Sequence, residues 1–170
     1  INFFSALAAG GAIVMAQLIG KKDSTLAKES GKQTLYLTTA LATVLTVIIF
    51  ILRTQILNLV FGKVEEDVMN YSQTYFFYTV ISYPFIAIHG AAAAVCRAEG
   101  ETKNPMIISL IANLINVGGN ALLIYVFNMG VEGAAIATLV SHIVNAIIML
   151  AFILTSKKLT LKIENLLKYK

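Results

Sequence analysis

Five uncharged runs, Phe3 to Gly20, Gln33 to Leu52, Ser72 to Cys96, Asn104 to Gly130 and Gly133 to Ser156, constrain this chain more than any other feature. A hydrocarbon core of ~30 Å takes about 20 helical residues to cross, and a strand would need about half that number. The runs therefore predict five transmembrane helices in an all-α, polytopic bundle over residues 1–156. Only 13% of the 170 residues are charged and the mean hydropathy is +0.78, whereas a soluble domain is about 25% charged.

Charge orients the bundle. The connections 20–32 and 97–103 and the tail 157–170 hold Lys21, Lys22, Lys28, Lys32, Arg97, Lys103, Lys157, Lys158, Lys162, Lys168 and Lys170. The opposite side holds only Arg53 and Lys63 of the 13 basic residues. By the positive-inside bias, the first group of loops is cytoplasmic in a multi-pass protein of the cell membrane, such as a bacterial inner membrane. The net charge of +4 thus reflects topology and gives no reason to expect a nucleic-acid partner.

The chain starts at Ile1 with no basic stretch before its first apolar run, so it reads as a piece of a longer protein with at least one span upstream. Cys96 is the single cysteine and can close no internal disulfide. Gly10 and Gly11 read as a close helix contact rather than a phosphate loop, because no strand precedes them and no Lys-Ser/Thr follows. "RTQILNLVFG", 53–62, reads as an amphipathic continuation of the second span at the outer interface. Glu65, Glu66 and Asp67 then form a solvated acidic patch. Pro84 falls near the middle of the third span, either as a static bend or as a hinge. His89 reads as a packing or interfacial histidine. Pro105 fits the first turn of the fourth span, and the short turn before it predicts spans three and four to be antiparallel neighbours. The tail 157–170 reads as a cytoplasmic amphipathic linker on anionic lipid headgroups or towards a further membrane domain.

Two spans carry polar stripes. Ser109, Asn113, Asn116 and Asn120 follow steps of four, three and four, an arc of about 60° on a helix. Thr138, Ser141, His142 and Asn145 form a similar stripe on the last span. With a hairpin turn at Gly130, Asn120 and Thr138 lie about 15 and 12 Å down their helices. Asn116 is one turn deeper, so all three can meet in the outer half of the bundle. An amide left unpaired in hydrocarbon costs several kcal/mol, so both stripes must face inward. They serve either as interhelical glue, at about 0.6 kcal/mol per hydrogen bond, or as a cavity whose amide and hydroxyl oxygens bind a cation or a cationic substrate. No uncharged run offers a carboxylate, a zinc-ligand spacing or a base beside a nucleophile, which argues against an intramembrane enzyme.

The series "GGAIVMAQLIGKKD", "RAEGETKNPM", "INVGGNALLIY" and "GVEGAAIAT" resembles the multidrug and toxic compound extrusion (MATE) family, in that order and with similar separations. The resemblance covers nearly the whole chain. It implies helices 2 to 6 of a twelve-helix transporter, an incomplete N-terminal lobe whose partners are the first helix and the C-terminal lobe of the same protein. It also implies export of small cationic or amphipathic substrates, with sodium ion or proton as coupling ion and no other cofactor. The family's N-lobe cation site matches Asn116 and Thr138. Asn120 stands where one branch has an Asp, so it can ligate sodium through its carbonyl but cannot take up a proton. Asn113 and Ser141 complete the expected cavity. Two alternatives remain: a lipid-linked oligosaccharide flippase of the same wider superfamily, which would be expected to line its cavity with several Arg or Lys, and a purely structural bundle.

Overall fold

The computed structural model describes residues 2–62 and 65–156 and is helical throughout its elements. The helices are α1 (Asn2–Gly20), α2 (Ser24–Ile51), α3 (Arg53–Phe61), α4 (Glu66–Ala98), α5 (Lys103–Ala121) and α6 (Gly130–Thr155), with a π turn over Leu122–Val126. Among the described residues, five segments are long and apolar enough to span a membrane. The tail expected to form a linker, 157–170, lies outside the described residues, as does Lys63.

The first connection differs from expectation. Residues 24–32 are not a solvated loop but the start of α2, and only Lys21–Asp23 turn. Lys22 takes a left-handed φ of 60°, and Asp23 caps the next helix by accepting from Leu26 N–H at 3.0 Å. An acid capping a new helix leaves no loop to solvate. Lys32 is consequently carried into the bundle and is 6% exposed. At the other end, α3 is a separate short helix after a break at Leu52, and Gly62, with φ 61°, ends it. Helix α4 begins at Glu66, earlier than the apolar run suggested, because Glu66 and Asp67 suit the positive end of a helix dipole.

The interior is rich in alanine, with a few large side chains filling between the helices, as suits close packing of membrane helices. Ala91 to Cys96 of α4 are buried together with Ala8 and Met15 of α1, Ala27 and Leu35 of α2, and Met149 and Ile153 of α6. Ile13, Leu37, Val47, Leu114 and Val117 are exposed on the outside of this bundle. Gly11 makes the expected close contact, since a Cβ there would have no room against Thr34. Gly10 meets nothing comparable and lines, with Gly11 and Thr34, a groove between α1 and α2.

Helix α4 is central, packing on α1, α2, α3 and α6. The expected pairing of α4 with α5 is not the main contact: α6 packs extensively on both of them. A short turn fixes only the ends of two helices, and the small buried face of α6, with Gly133, Ala135, Ala137, Ser141 and Ala146, lets it approach closely. Near the connection, His89 Nε2 of α4 and Ser109 Oγ of α5 are 3.1 Å apart, a polar contact between the two helices.

A polar cluster between α5 and α6

Small residues bring α5 and α6 together. A Cβ on Gly119 would sit 3.2 Å from that of Ala137, so any side chain there would crowd this backbone approach. On either side of Gly119 stand Asn116 and Asn120, and beside Ala137 stands Thr138. The close contact is what places their short side chains within hydrogen-bond reach.

The bonds run in one direction. Asn120 Nδ2 donates to Asn116 Oδ1 at 3.1 Å. Asn116 Nδ2 faces both Thr138 Oγ1 and Ser141 Oγ, each at 3.3 Å. The two hydroxyls donate onward to the backbone, Thr138 to the Ala134 carbonyl at 2.9 Å and Ser141 to the Thr138 carbonyl at 2.8 Å. Among these four side chains, one acceptor is left over. Asn120 Oδ1 is buried and has no partner.

Four of the expected cavity residues, Asn116, Asn120, Thr138 and Ser141, therefore meet. Asn113 does not join them: it is exposed, at the edge of the arc that the other three share. Thr138 bonds to Asn116 directly and is linked to Asn120 only through it. Pro84 lies on another helix. Helix α4 continues through it, although its missing N–H leaves the carbonyl one turn earlier without its usual donor. Beside it, Ser82 Oγ donates to the Thr79 carbonyl at 2.6 Å, and the Tyr83 ring packs 6.1 Å from that of Phe4 on α1.

Two features of the cluster escape a reading of the two stripes as candidate ligands. Asn145, one turn beyond Ser141, is 8% exposed and its Oδ1 also lacks a partner. Its signal is its place in the α6 stripe. The other is the π turn that starts at Leu122, two residues after Asn120, where Phe127 N–H donates to the Leu122 carbonyl five residues back at 3.2 Å. Such turns recur at functional sites, but nothing in "LLIYV" separates it from ordinary helix.

Comparison with known proteins follows the same lines. The sequence pattern of the MatE family matches residues 1–122. A Bacillus subtilis relative, "Probable multidrug resistance protein YoeA", is 27% identical over 157 residues, which is 90% of this chain and 34% of that protein. A solved inward-facing multidrug resistance MATE family transporter superposes with a TM-score of 0.87 at 20% identity, covering 98% of this chain and 38% of the other. An outward-facing structure of such a transporter gives the same TM-score, 0.87, at 18% identity, with 98% and 37% covered. The chain thus spans about a third of the length of these relatives.

Proposed function

Because this chain belongs to the MatE family, we propose that it supplies five helices of one lobe of a secondary antiporter in the cell membrane of a bacterium. The whole protein would export small cationic or amphipathic compounds against an inward flow of sodium ions or protons. Its basic end faces the cytoplasm and α3 lies at the outer interface. The equal match to inward- and outward-facing structures supports a lobe that rocks as a unit while keeping its internal fold.

The observation that carries this reading is the bare carbonyl oxygen of Asn120. A network serving only as glue would be expected to satisfy its own buried acceptors; this one ends in an oxygen with nothing to accept from. Rotating the Asn116 amide by half a turn would present its Oδ1 beside the Thr138 and Ser141 hydroxyl oxygens. The same rotation breaks the Asn120 to Asn116 bond, so that three oxygens stand together beside the Asn120 amide. Oxygen donors of this kind suit a hard cation such as sodium. The cluster contains no Arg or Lys for a pyrophosphate, and Lys32 lies on α2, which supports a cation exporter over a flippase.

The test is efflux of a cationic dye from cells making the full-length protein, driven by an imposed sodium or proton gradient. Asn116→Ala should abolish gradient-driven efflux at unchanged expression. Efflux at the unaltered rate would defeat the proposal.

A further inference from the structure

The groove between α1 and α2 has a volume of about 420 Å³. Its α1 side is the stripe Ala6, Gly10 and Val14, and a Cβ on Gly10 would meet nothing within 4 Å. The same stripe continues through Gln17 to Lys21, at steps of three and four. Lys21 N–H donates to the Gln17 carbonyl at 3.1 Å, so the helical path carries on to it. Both residues are exposed, as is Lys22.

On α2 the groove grades from polar to apolar. Lys28, Glu29 and Lys32 are the last charges before Arg53, so the hydrocarbon begins near Gln33. Ser30 and Gln33 line the groove at that boundary, and Leu37 and Thr38 line it deeper. Thr38 lies five residues past Gln33, about 7.5 Å further in.

Thr38 is the anomaly. On the same helix Thr34, Thr43 and Thr46 each donate to the carbonyl four residues back, at 2.8, 2.9 and 2.7 Å. Thr38 Oγ1 makes no such bond: it is buried without a partner, in a residue 1% exposed. Its O–H needs an acceptor from whatever fills the groove. A docked transmembrane helix has spent its backbone carbonyls on its own hydrogen bonds. A glycerolipid brings unpaired ester carbonyls to this depth, with a phosphate above them and acyl chains below.

We propose that the groove holds one anionic glycerophospholipid from the leaflet at the basic end of the bundle. An acyl chain lies along Ala6, Gly10 and Leu37, and an ester carbonyl accepts from Thr38 Oγ1. The Ser30 hydroxyl and Gln33 amide face the glycerol phosphate, and Lys21 and Lys22 complement the charge of the headgroup. Of the acids at this end, Asp23 uses a carboxylate oxygen to cap α2, and Glu29 stands one residue off the α2 stripe. Binding here is read without transport, so the proposal is independent of the α5–α6 cluster.

The test is native mass spectrometry of the delipidated full-length protein titrated with three lipids: phosphatidylglycerol, phosphatidylcholine, and a diether phosphatidylglycerol that lacks ester carbonyls. The tightest phosphatidylglycerol should bind about fivefold more strongly than phosphatidylcholine. The diether should bind about two- to fivefold more weakly than the ester. Replacing both lysines, Lys21→Gln with Lys22→Gln, should erase the first preference, and Thr38→Val should erase the second. Gly10→Leu, which enters open space, should weaken all three lipids at unchanged melting temperature. Equal binding of phosphatidylglycerol and phosphatidylcholine, or preferences that survive these substitutions, would overturn the proposal. So would a Gly10→Leu protein that melts earlier but binds lipid as before, the mark of a helix seated in the groove.

Discussion

Asn120 gives its amide N–H to Asn116 Oδ1 at 3.1 Å, and this bond leaves its own carbonyl oxygen buried and unpaired. A bond of this type between membrane helices or along one is worth about 0.6 kcal/mol. Asn120→Ala should therefore barely change the detergent melting temperature, yet should reduce efflux strongly if the oxygen binds a cation. Asn120→Asp, which keeps an oxygen there and adds charge, should retain ion coupling and shift its dependence on pH. A large fall in melting temperature with normal efflux per folded molecule would make Asn120 a structural residue.

A second expectation concerns the glycine that sets the helix spacing. Gly119→Val should push α5 from α6 at Ala137, costing about 1–3 kcal/mol of stability by overpacking and breaking the Asn116 to Thr138 contact. The neighbouring Gly118 meets nothing within 4 Å, so Gly118→Ala should be nearly neutral or slightly stabilising. Thermal melting and efflux of the two variants check this; equal effects would show that the close approach does not matter.

Much of this was legible beforehand, for definite reasons. A span needs length and apolarity, and the uncharged runs display both. Asn116 and Thr138 were legible as a pair because helical periodicity and a short hairpin fix angle and depth together. Asn113 is exposed outside the α5–α6 cluster, a placement hidden in the sequence because a stripe's arc does not say where the neighbouring helix stops. The start of α2 was hidden by Lys28, Glu29 and Lys32, whose charges read as loop although Asp23 begins a helix with them inside it. The dominance of α4–α6 packing over α4–α5 follows from small-residue surfaces, a property of pairs of faces that no single segment reveals.

Orientation has its own test. With Cys96 and any other cysteines replaced in the full-length protein, Ser24→Cys, at the start of α2 just after Lys21 and Lys22, should be shielded from an impermeant thiol reagent in intact cells. Glu66→Cys, at the acidic end, should react. Equal labelling at both sites would overturn the assignment of the basic end to the cytoplasm.

Pro84 separates a hinge from a fixed bend. Pro84→Ala restores the missing N–H and should straighten α4 locally. As a hinge residue, it should slow efflux several-fold while melting temperature holds or rises. Unchanged efflux would leave Pro84 as static packing against the Tyr83 and Phe4 rings.

The last prediction reaches outside the chain. The cluster at Asn116, Asn120, Thr138 and Ser141 offers amide and hydroxyl oxygens but no carboxylate, and neutral oxygens alone leave the charge of a bare ion in a bundle uncompensated. The relatives are about three times as long as this chain, as the 34% coverage indicates, so other helices are available to face the cluster. An Asp or Glu on one of them should point at Asn120 Oδ1. Such a group would also couple a proton, holding it while the site lacks a cation and releasing it when one arrives. The histidines are poor substitutes: His89 is engaged with Ser109 near the basic end, and a protonated His142, next to Ser141, would repel a cationic substrate. Neutralising the facing acid in the full-length protein should abolish efflux driven by an imposed sodium or proton gradient while leaving the melting temperature within a few degrees. Full efflux after neutralisation, or the lack of any intramembrane acid able to reach Asn120, would move the coupling site to the other lobe and leave this bundle as one wall of the cavity.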